Sequence, residues 1–160
     1  MRYVLVTGGF DPLHSGHLSY FTQAKKLGDV LIVGLNSDVW LKRKKGRAFL
    51  PFEERKEIIS NLKMVDDVIS FDDSGPHGAS EAIFKLRSTV VGDNDEIIVA
   101  NGGDRFEGNV DEQKVWKHEK GVTFVFGVGG TDKKNSSRWI LKNWEQQKHR
   151  IVTGKHYSRS

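Results

Sequence analysis

The sequence predicts an α/β protein: one domain built on a five-stranded, doubly wound, Rossmann-like parallel sheet with helices on both faces. Three observations predict it. Strand-like and helix-like segments alternate along the chain. The strand-like segments are continuous apolar runs, not period-2 alternations, and such runs belong to strands buried on both faces. The 160 residues suffice for one domain of this kind.

Residues 2–7 (RYVLVT) are the first strand, stopped by Gly8-Gly9. Leu18, Tyr20, Phe21, Ala24 and Leu27 then fall at helical spacing over 16–27, with Gly28 placed to cap that helix. Residues 29–35 (DVLIVGL) are the second strand, and 36–50 reads as a loop. Pro51 suits the first position of a helix reaching Leu62, with Phe52, Ile58, Ile59 and Leu62 inward and Glu53 and Glu54 in its first turn. Residues 65–71 form the third strand, 79–87 a short helix, 96–100 the fourth strand, 111–119 a helix and 121–127 the fifth strand. Residues 136–147 close the fold as a helix with Trp139, Ile140 and Trp144 on one side. The domain is expected over 1–149, followed by a basic, flexible tail over 150–160. In such a fold ligands bind at the C-terminal ends of the strands. The informative loops are therefore 8–16, 36–50, 72–78, 101–110 and 128–137.

Composition excludes whole classes of chemistry. With no Cys there are no disulfides, iron–sulfur clusters, thiolate zinc sites or Cys nucleophiles. At 37% hydrophobic and 29% charged residues the chain reads as an ordinary water-soluble protein without membrane insertion. The apolar start MRYVLVTGGF is too short for a signal peptide's core, so a cytoplasmic location is expected. The net charge of +4 points to an anionic partner. Lys42, Arg43, Lys44, Lys45 and Arg47 account for it, since the remainder of the chain is close to electroneutral.

Chemistry-bearing residues collect at the predicted ligand edge. The first loop, GGFDPLHSGH (8–17), combines backbone-freeing glycines, a helix start and two imidazoles, His14 and His17. It lacks both the G-x-G-x-x-G fingerprint and the G-K-[ST] of a P-loop. Taken alone, these histidines also read as a surface residue and a helix cap, and a zinc pair would lack its further ligands. Ser136 and Ser137 read as helix caps or anion ligands. The 42–47 run reads as a solvated loop, Arg55 as a surface ion-pairing residue, and Gly102-Gly103-Asp104 as a turn. Together, however, they supply what a polyphosphate site needs: helix N-termini, imidazoles, cations, hydroxyls and glycines.

GGFDPLHSGH resembles the signature loop of the nucleotidyltransferase superfamily that carries the H-x-G-H motif. Within it the resemblance is to the cytidylyltransferase-like branch, which includes heptose 1-phosphate adenylyltransferase domains and glycerol 3-phosphate cytidylyltransferases. It continues through YFTQAKKLGDVLIVGLNSD (20–38), ERK (54–56), VDDVISF (65–71), NGGD (101–104) and NSSRWI (135–140), and so covers most of residues 3–147. The family usually reads Gly-x-Ser-Thr-Thr before the last helix. Here Lys134 stands at the glycine, Ser136 and Ser137 match two hydroxyls, and Arg138 replaces the third.

The resemblance implies transfer of a nucleoside monophosphate from ATP or CTP to a phosphorylated sugar or polyol, with release of pyrophosphate. Mg²⁺ would travel with the triphosphate, and Asp11 is the nearest candidate contact for it. The same resemblance implies a homodimer; no nucleic-acid partner is expected, because the basic residues lack interleaved aromatics. It assigns hydrogen bonding to the phosphates and the transition state to His14 and His17, and phosphate contacts to Lys45, with Lys42 or Lys44 as alternates. Arg55 would hold the nucleotide phosphates or the second substrate. Gly8, Gly9, Phe10 and Gly16 would shape the phosphate cradle, and Asp38 would lie in the nucleotide site. Gly103 and Asp104 would meet ribose or base, and Ser136 and Ser137 the β- and γ-phosphates. Two other classes of reading stay open from sequence: a basic nucleic-acid-binding module, and an inactive relative that senses nucleotide.

Overall fold

The computed structural model describes residues 1–89, 92–102, 110–116, 118–130 and 136–152, with backbone course only at 114, 115 and 148–152. The elements run β1 (Arg2–Gly8), α1 (Ser15–Lys25), β2 (Val30–Leu35), α2 (Asp38–Lys45), α3 (Phe52–Ser60), β3 (Asp67–Ser70), α4 (Ser80–Thr89), β4 (Glu96–Gly102), α5 (Asp111–Trp116), β5 (Val122–Val128) and α6 (Ser137–Val152). The strands form one sheet in the order β3-β2-β1-β4-β5, and every pairing is parallel. The chain winds outward from β1 to β3, then returns to place β4 on the other side of β1. The switch point therefore lies between the C-terminal ends of β1 and β4.

Alternation along each strand sends side chains into two separate cores. Val4 and Val6, with Leu31, Val33 and Leu35, pack on one face against Phe21 and Ala24 of α1 and Ile59 of α3. Leu5, Ile32, Ile97 and Val99 pack on the other face against Ala82, Ile83 and Leu86 of α4. Because both faces are covered, consecutive strand residues are all apolar, which is the pattern the sequence displays.

The structure departs from the sequence expectations in identifiable places. The segment expected as a loop contains α2, opened by Ser37, whose Oγ accepts from Trp40 N, and closed by Gly46 at φ 89°. Gly28 is not the cap of α1, whose C-cap is Lys26. Its lack of a side chain instead clears the Arg2 carbonyl, which a Cβ would meet at 2.8 Å. Pro51 is the N-cap of α3, not its first helical residue. Ile58 points outward, and the side chain that goes inward beside Ile59 is Arg55. Trp139 and Trp144 are exposed. A hydrophobic stripe identifies an apolar face, not whether its own chain covers it. Finally, α6 continues to Val152, past the expected start of the tail.

Candidate active site

The signature loop leaves β1 at the switch point and turns sharply at Phe10, which has φ 48°. That turn sends the Phe10 ring back under Gly8, where an added Cβ would lie 2.8 Å from Phe10 Cζ. At Gly9 a Cβ would meet Leu41 Cδ2 at 2.6 Å. Gly8 and Gly9 are thus required by the packing of their own chain, in addition to any approach of a ligand. The buried Phe10 ring stands edge-on to His17 at 5.0 Å and to Phe21 at 4.9 Å, and so ties the loop's floor to the core.

His14 and His17 form the N-terminus of α1 as a reciprocal cap. Gly16 N donates to His14 Nδ1 at 3.1 Å, and His14 N donates to His17 Nδ1 at 3.2 Å. These are the positions that a Ser and a Glu take in a common capping box. The Gly16 amide is thereby engaged in orienting His14. The two rings stack, with centroids 3.7 Å apart and planes 26° apart. An Nδ1 that accepts from a backbone amide places the neutral ring's proton on Nε2. A neutral His17 is therefore held as an Nε2–H donor, and His14 likewise turns Nε2 away from its cap. Burial, with the charges of His14 and Lys45 adding to it, lowers the His17 pKa to about 3. His17 is neutral at physiological pH, and the capping reading and the donor reading are compatible: the cap orients the donor.

Among the candidate lysines, Lys45 is the one brought to this loop, with Nζ donating to Asp11 O at 2.9 Å. Burial holds its ammonium below its ordinary pKa; Arg138 and Arg55 push the same way, and Asp11 opposes them. Lys44 Nζ lies 5.6 Å from the centre of the Trp40 ring, and Lys42 is exposed.

Two expected ligands have other work. Asp11 is buried, and its carboxylate accepts Phe49 N at 2.6 Å and Leu50 N at 2.8 Å. Both oxygens thus fasten the 49–50 segment, and the residue does not fit a magnesium contact. Among the described residues there is no group of three or more acidic or imidazole side chains suited to a metal. Arg55 is 1% exposed. Its Nε donates to Leu50 O, one terminal nitrogen to Gly9 O and Asn36 O, and the other to Asp38 Oδ1 at 2.6 Å. A guanidinium held in this way braces three loops. Asp38 is its partner at the start of α2.

At the far side of the loop, Ser136 Oγ accepts Trp139 N at 3.0 Å, and Ser137 Oγ donates to Pro12 O at 2.8 Å. Both serines are buried. Their hydroxyls cap α6 and tie it to the signature loop. Gly103 and Asp104 lie outside the described residues.

The sequence reading missed several supports. Asp73 accepts from Asn36 Nδ2, Ser37 N and Ser37 Oγ, and its carbonyl accepts from Arg43, which anchors the start of α2. Tyr20 donates its hydroxyl proton to Ala100 O, joining α1 to β4 across the switch point. Ser37 was legible as a helix cap; nothing local marks Asp73 or Tyr20. No helix among the described residues is long and apolar enough to cross a membrane.

Residues 5–131 match the model of a family described as cytidylyltransferase-like. The bifunctional protein HldE of Citrobacter koseri is 37% identical over 144 residues, covering 89% of this chain and 28% of that protein. The protein of the same name from Geobacter sulfurreducens is 34% identical over 149 residues, covering 91% and 28%. The chain thus spans 28% of the length of these curated relatives. Among solved structures, a lipopolysaccharide core biosynthesis protein from Thermoplasma volcanium aligns with a TM-score of 0.61 at 26% identity, covering 79% of this chain and 94% of that one. A protein of unknown function from Archaeoglobus fulgidus shares the fold, with a TM-score of 0.58 at 21% identity, covering 86% and 96%.

Proposed function

The chain belongs to the cytidylyltransferase-like family of nucleotidyltransferases, and from that premise we propose that it transfers the adenylyl group of ATP to a sugar 1-phosphate of the heptose type. A phosphate oxygen of the acceptor attacks the α-phosphorus. A new P–O bond forms there as the bond to the β-phosphate's bridging oxygen breaks, and pyrophosphate leaves with that electron pair. The nucleophile is already an anion, so no Ser, Cys or general base is needed to activate it. What remains is to align two anions and to neutralise the charge developing on the α-phosphoryl oxygens and the leaving group.

The observation that carries this reading is the reciprocal His14–His17 cap beside Lys45. Fixed donors need no reorganisation as charge develops, and a neutral His17 avoids the cost of burying an imidazolium beside Lys45. Lys45 then supplies the cation. Arg55 and Asp11 act from behind, holding the loops that carry these groups. Mg²⁺ enters the proposal only as part of the substrate, carried by the triphosphate. ATP and a heptose-like acceptor are favoured by the likeness to the HldE proteins. Thermal unfolding with each nucleoside triphosphate tests the choice, because a ligand of the folded state raises Tm. ATP is expected to give the largest rise; an equal or larger rise with CTP rejects adenylyl transfer as the activity.

A further inference from the structure

The helix that carries Lys45 cannot hold its own place. α2 has 8 residues, too few for a helix to be stable by itself in water, and it ends in consecutive cations that repel one another. Leu41 is the one buried residue of α2, and it lies against Gly9. Asp73, on the loop that follows β3, grips this helix at two points. The buried Asp73 carboxylate accepts Ser37 N at 2.7 Å, Ser37 Oγ at 2.8 Å and Asn36 Nδ2 at 3.2 Å. Because the Ser37 hydroxyl gives its proton to Asp73, its lone pairs are left for Trp40 N, which donates to Oγ at 3.1 Å. The carboxylate thereby sets the rotamer of the N-cap, and its charge complements the helix dipole. Further along the helix, Arg43 donates to the Asp73 carbonyl at 2.7 Å. Just beyond Arg43, Lys45 Nζ donates to Asp11 O at 2.9 Å.

This arrangement is a lever. A helix of this length spans about 12 Å, so a tilt of about 10° at its start moves the end that bears Lys45 by about 2 Å. Misplacing a group that acts on the reacting atoms by about 1 Å costs on the order of a hundredfold in rate. Arg55 holds Asn36 O and Asp38 Oδ1, and so fixes where α2 begins. Asp73 meets the helix at its start and again at Arg43, and so fixes its direction. We propose that Asp73 is a positioning residue for the transfer: with its carboxylate committed to the cap and its carbonyl to Arg43, it sets α2 at the angle that keeps the Lys45 ammonium on the signature loop. The proposal rests on the reading of Lys45 as the phosphate-binding cation of a nucleotidyltransferase. It makes the 72–78 loop part of the working site through one helix.

A double-mutant cycle tests it. Initial rates of pyrophosphate release from a nucleoside triphosphate and a sugar phosphate are compared for wild type, D73A, D73N, K45A and D73A/K45A, at a temperature where circular dichroism finds each protein folded. D73A is expected to lower kcat about tenfold to a hundredfold. D73N, which keeps one oxygen for the Ser37 amide, falls between. In the K45A background, removing Asp73 costs less than about twofold, because no ammonium is left to misplace. A residue that only stabilised the fold would cost the same factor in both backgrounds. Equal factors therefore overturn the proposal, as does wild-type turnover in D73A. If D73A does not fold, R43M carries the same cycle: it releases α2 from the Asp73 carbonyl and should slow turnover about threefold to tenfold, again only while Lys45 is present. Wild-type turnover in K45A overturns the role of Asp73 and leaves nucleotidyl transfer standing. Wild-type protein that releases no pyrophosphate from ATP or CTP with a sugar or polyol phosphate overturns both.

Discussion

Replacing Arg55 by alanine removes four hydrogen bonds in one step and leaves the carbonyls of Gly9, Asn36 and Leu50 without their donor in a site 1% exposed. A buried polar group stripped of its partner costs about 1–3 kcal/mol. The simple sum overstates the loss, because water enters part of the space vacated. The Asp38 pair adds little, because that carboxylate is about half exposed and screened. The net expectation is a destabilisation of about 3–5 kcal/mol. For a chain of this length each kcal/mol lowers Tm by roughly 2–4 °C, so R55A should melt roughly 6–20 °C below wild type. Thermal and urea unfolding read this directly, and R55K, with its charge kept but its planar fork lost, should fall between. Nucleotide affinity should drop in step with stability, since the loops bearing Gly9 and the start of α2 lose their common brace. An R55A protein with wild-type Tm that has lost only nucleotide binding would refute the reasoning, because Arg55 would then be a phosphate ligand and not an internal support.

Other consequences are equally specific. His17→Ala should lower turnover by about 10²–10³, the usual loss for one preorganised donor; unchanged turnover denies His17 its role. His17 has a folded-state pKa of about 3 against an ordinary 6.5, so the unfolded chain binds the extra proton between those values. Its contribution to stability is therefore full above pH 6.5 and declines as pH falls toward 3, by about 1.4 kcal/mol per unit. Urea unfolding at pH 6.5, 5.5 and 4.5 should show a shallower acid loss in H17N than in wild type, and parallel slopes would contradict the buried neutral imidazole. Gly8→Ala sets a Cβ 2.8 Å from Phe10 Cζ and should cost about 1–3 kcal/mol. It should lower turnover as well, because Phe10 supports His17; a silent G8A would mean the ring is not fixed there. Asp11→Asn loses one of two amide acceptors and should lower stability by about 1–3 kcal/mol while the Mg²⁺ dependence of turnover keeps its midpoint; a shifted midpoint would make Asp11 a metal contact.

Much of this was legible in the sequence because the signals are local. Continuous apolar runs such as DVLIVGL carry the parallel sheet, and GGFDPLHSGH places its imidazoles at a helix start. What was not legible depends on contacts between distant residues. Arg55 lies on a helix whose neighbours Lys56 and Glu57 are exposed, and nothing local says that this one guanidinium turns inward to meet carbonyls from three loops. Asp11 is likewise recruited by amides 38 and 39 positions away. The helix α2 was missed for another reason. Its four consecutive basic residues read as a solvated loop, although Ser37 and Gly46 carried the start and stop signals. Trp139 and Trp144, expected on one side of the last helix and exposed there, show the limit of periodicity, which detects a face but not its cover.

The central claim is that fixed imidazole donors and the Lys45 cation serve a transfer to the α-phosphorus. Phosphorus NMR of the protein incubated with ATP, Mg²⁺ and a heptose 1-phosphate measures it most directly. The account predicts pyrophosphate and a new diphosphate ester appearing together in equal amounts, both formed about 10²–10³ more slowly by the His17→Ala protein. Formation of ADP or free phosphate instead, or equal product from the variant, would contradict it.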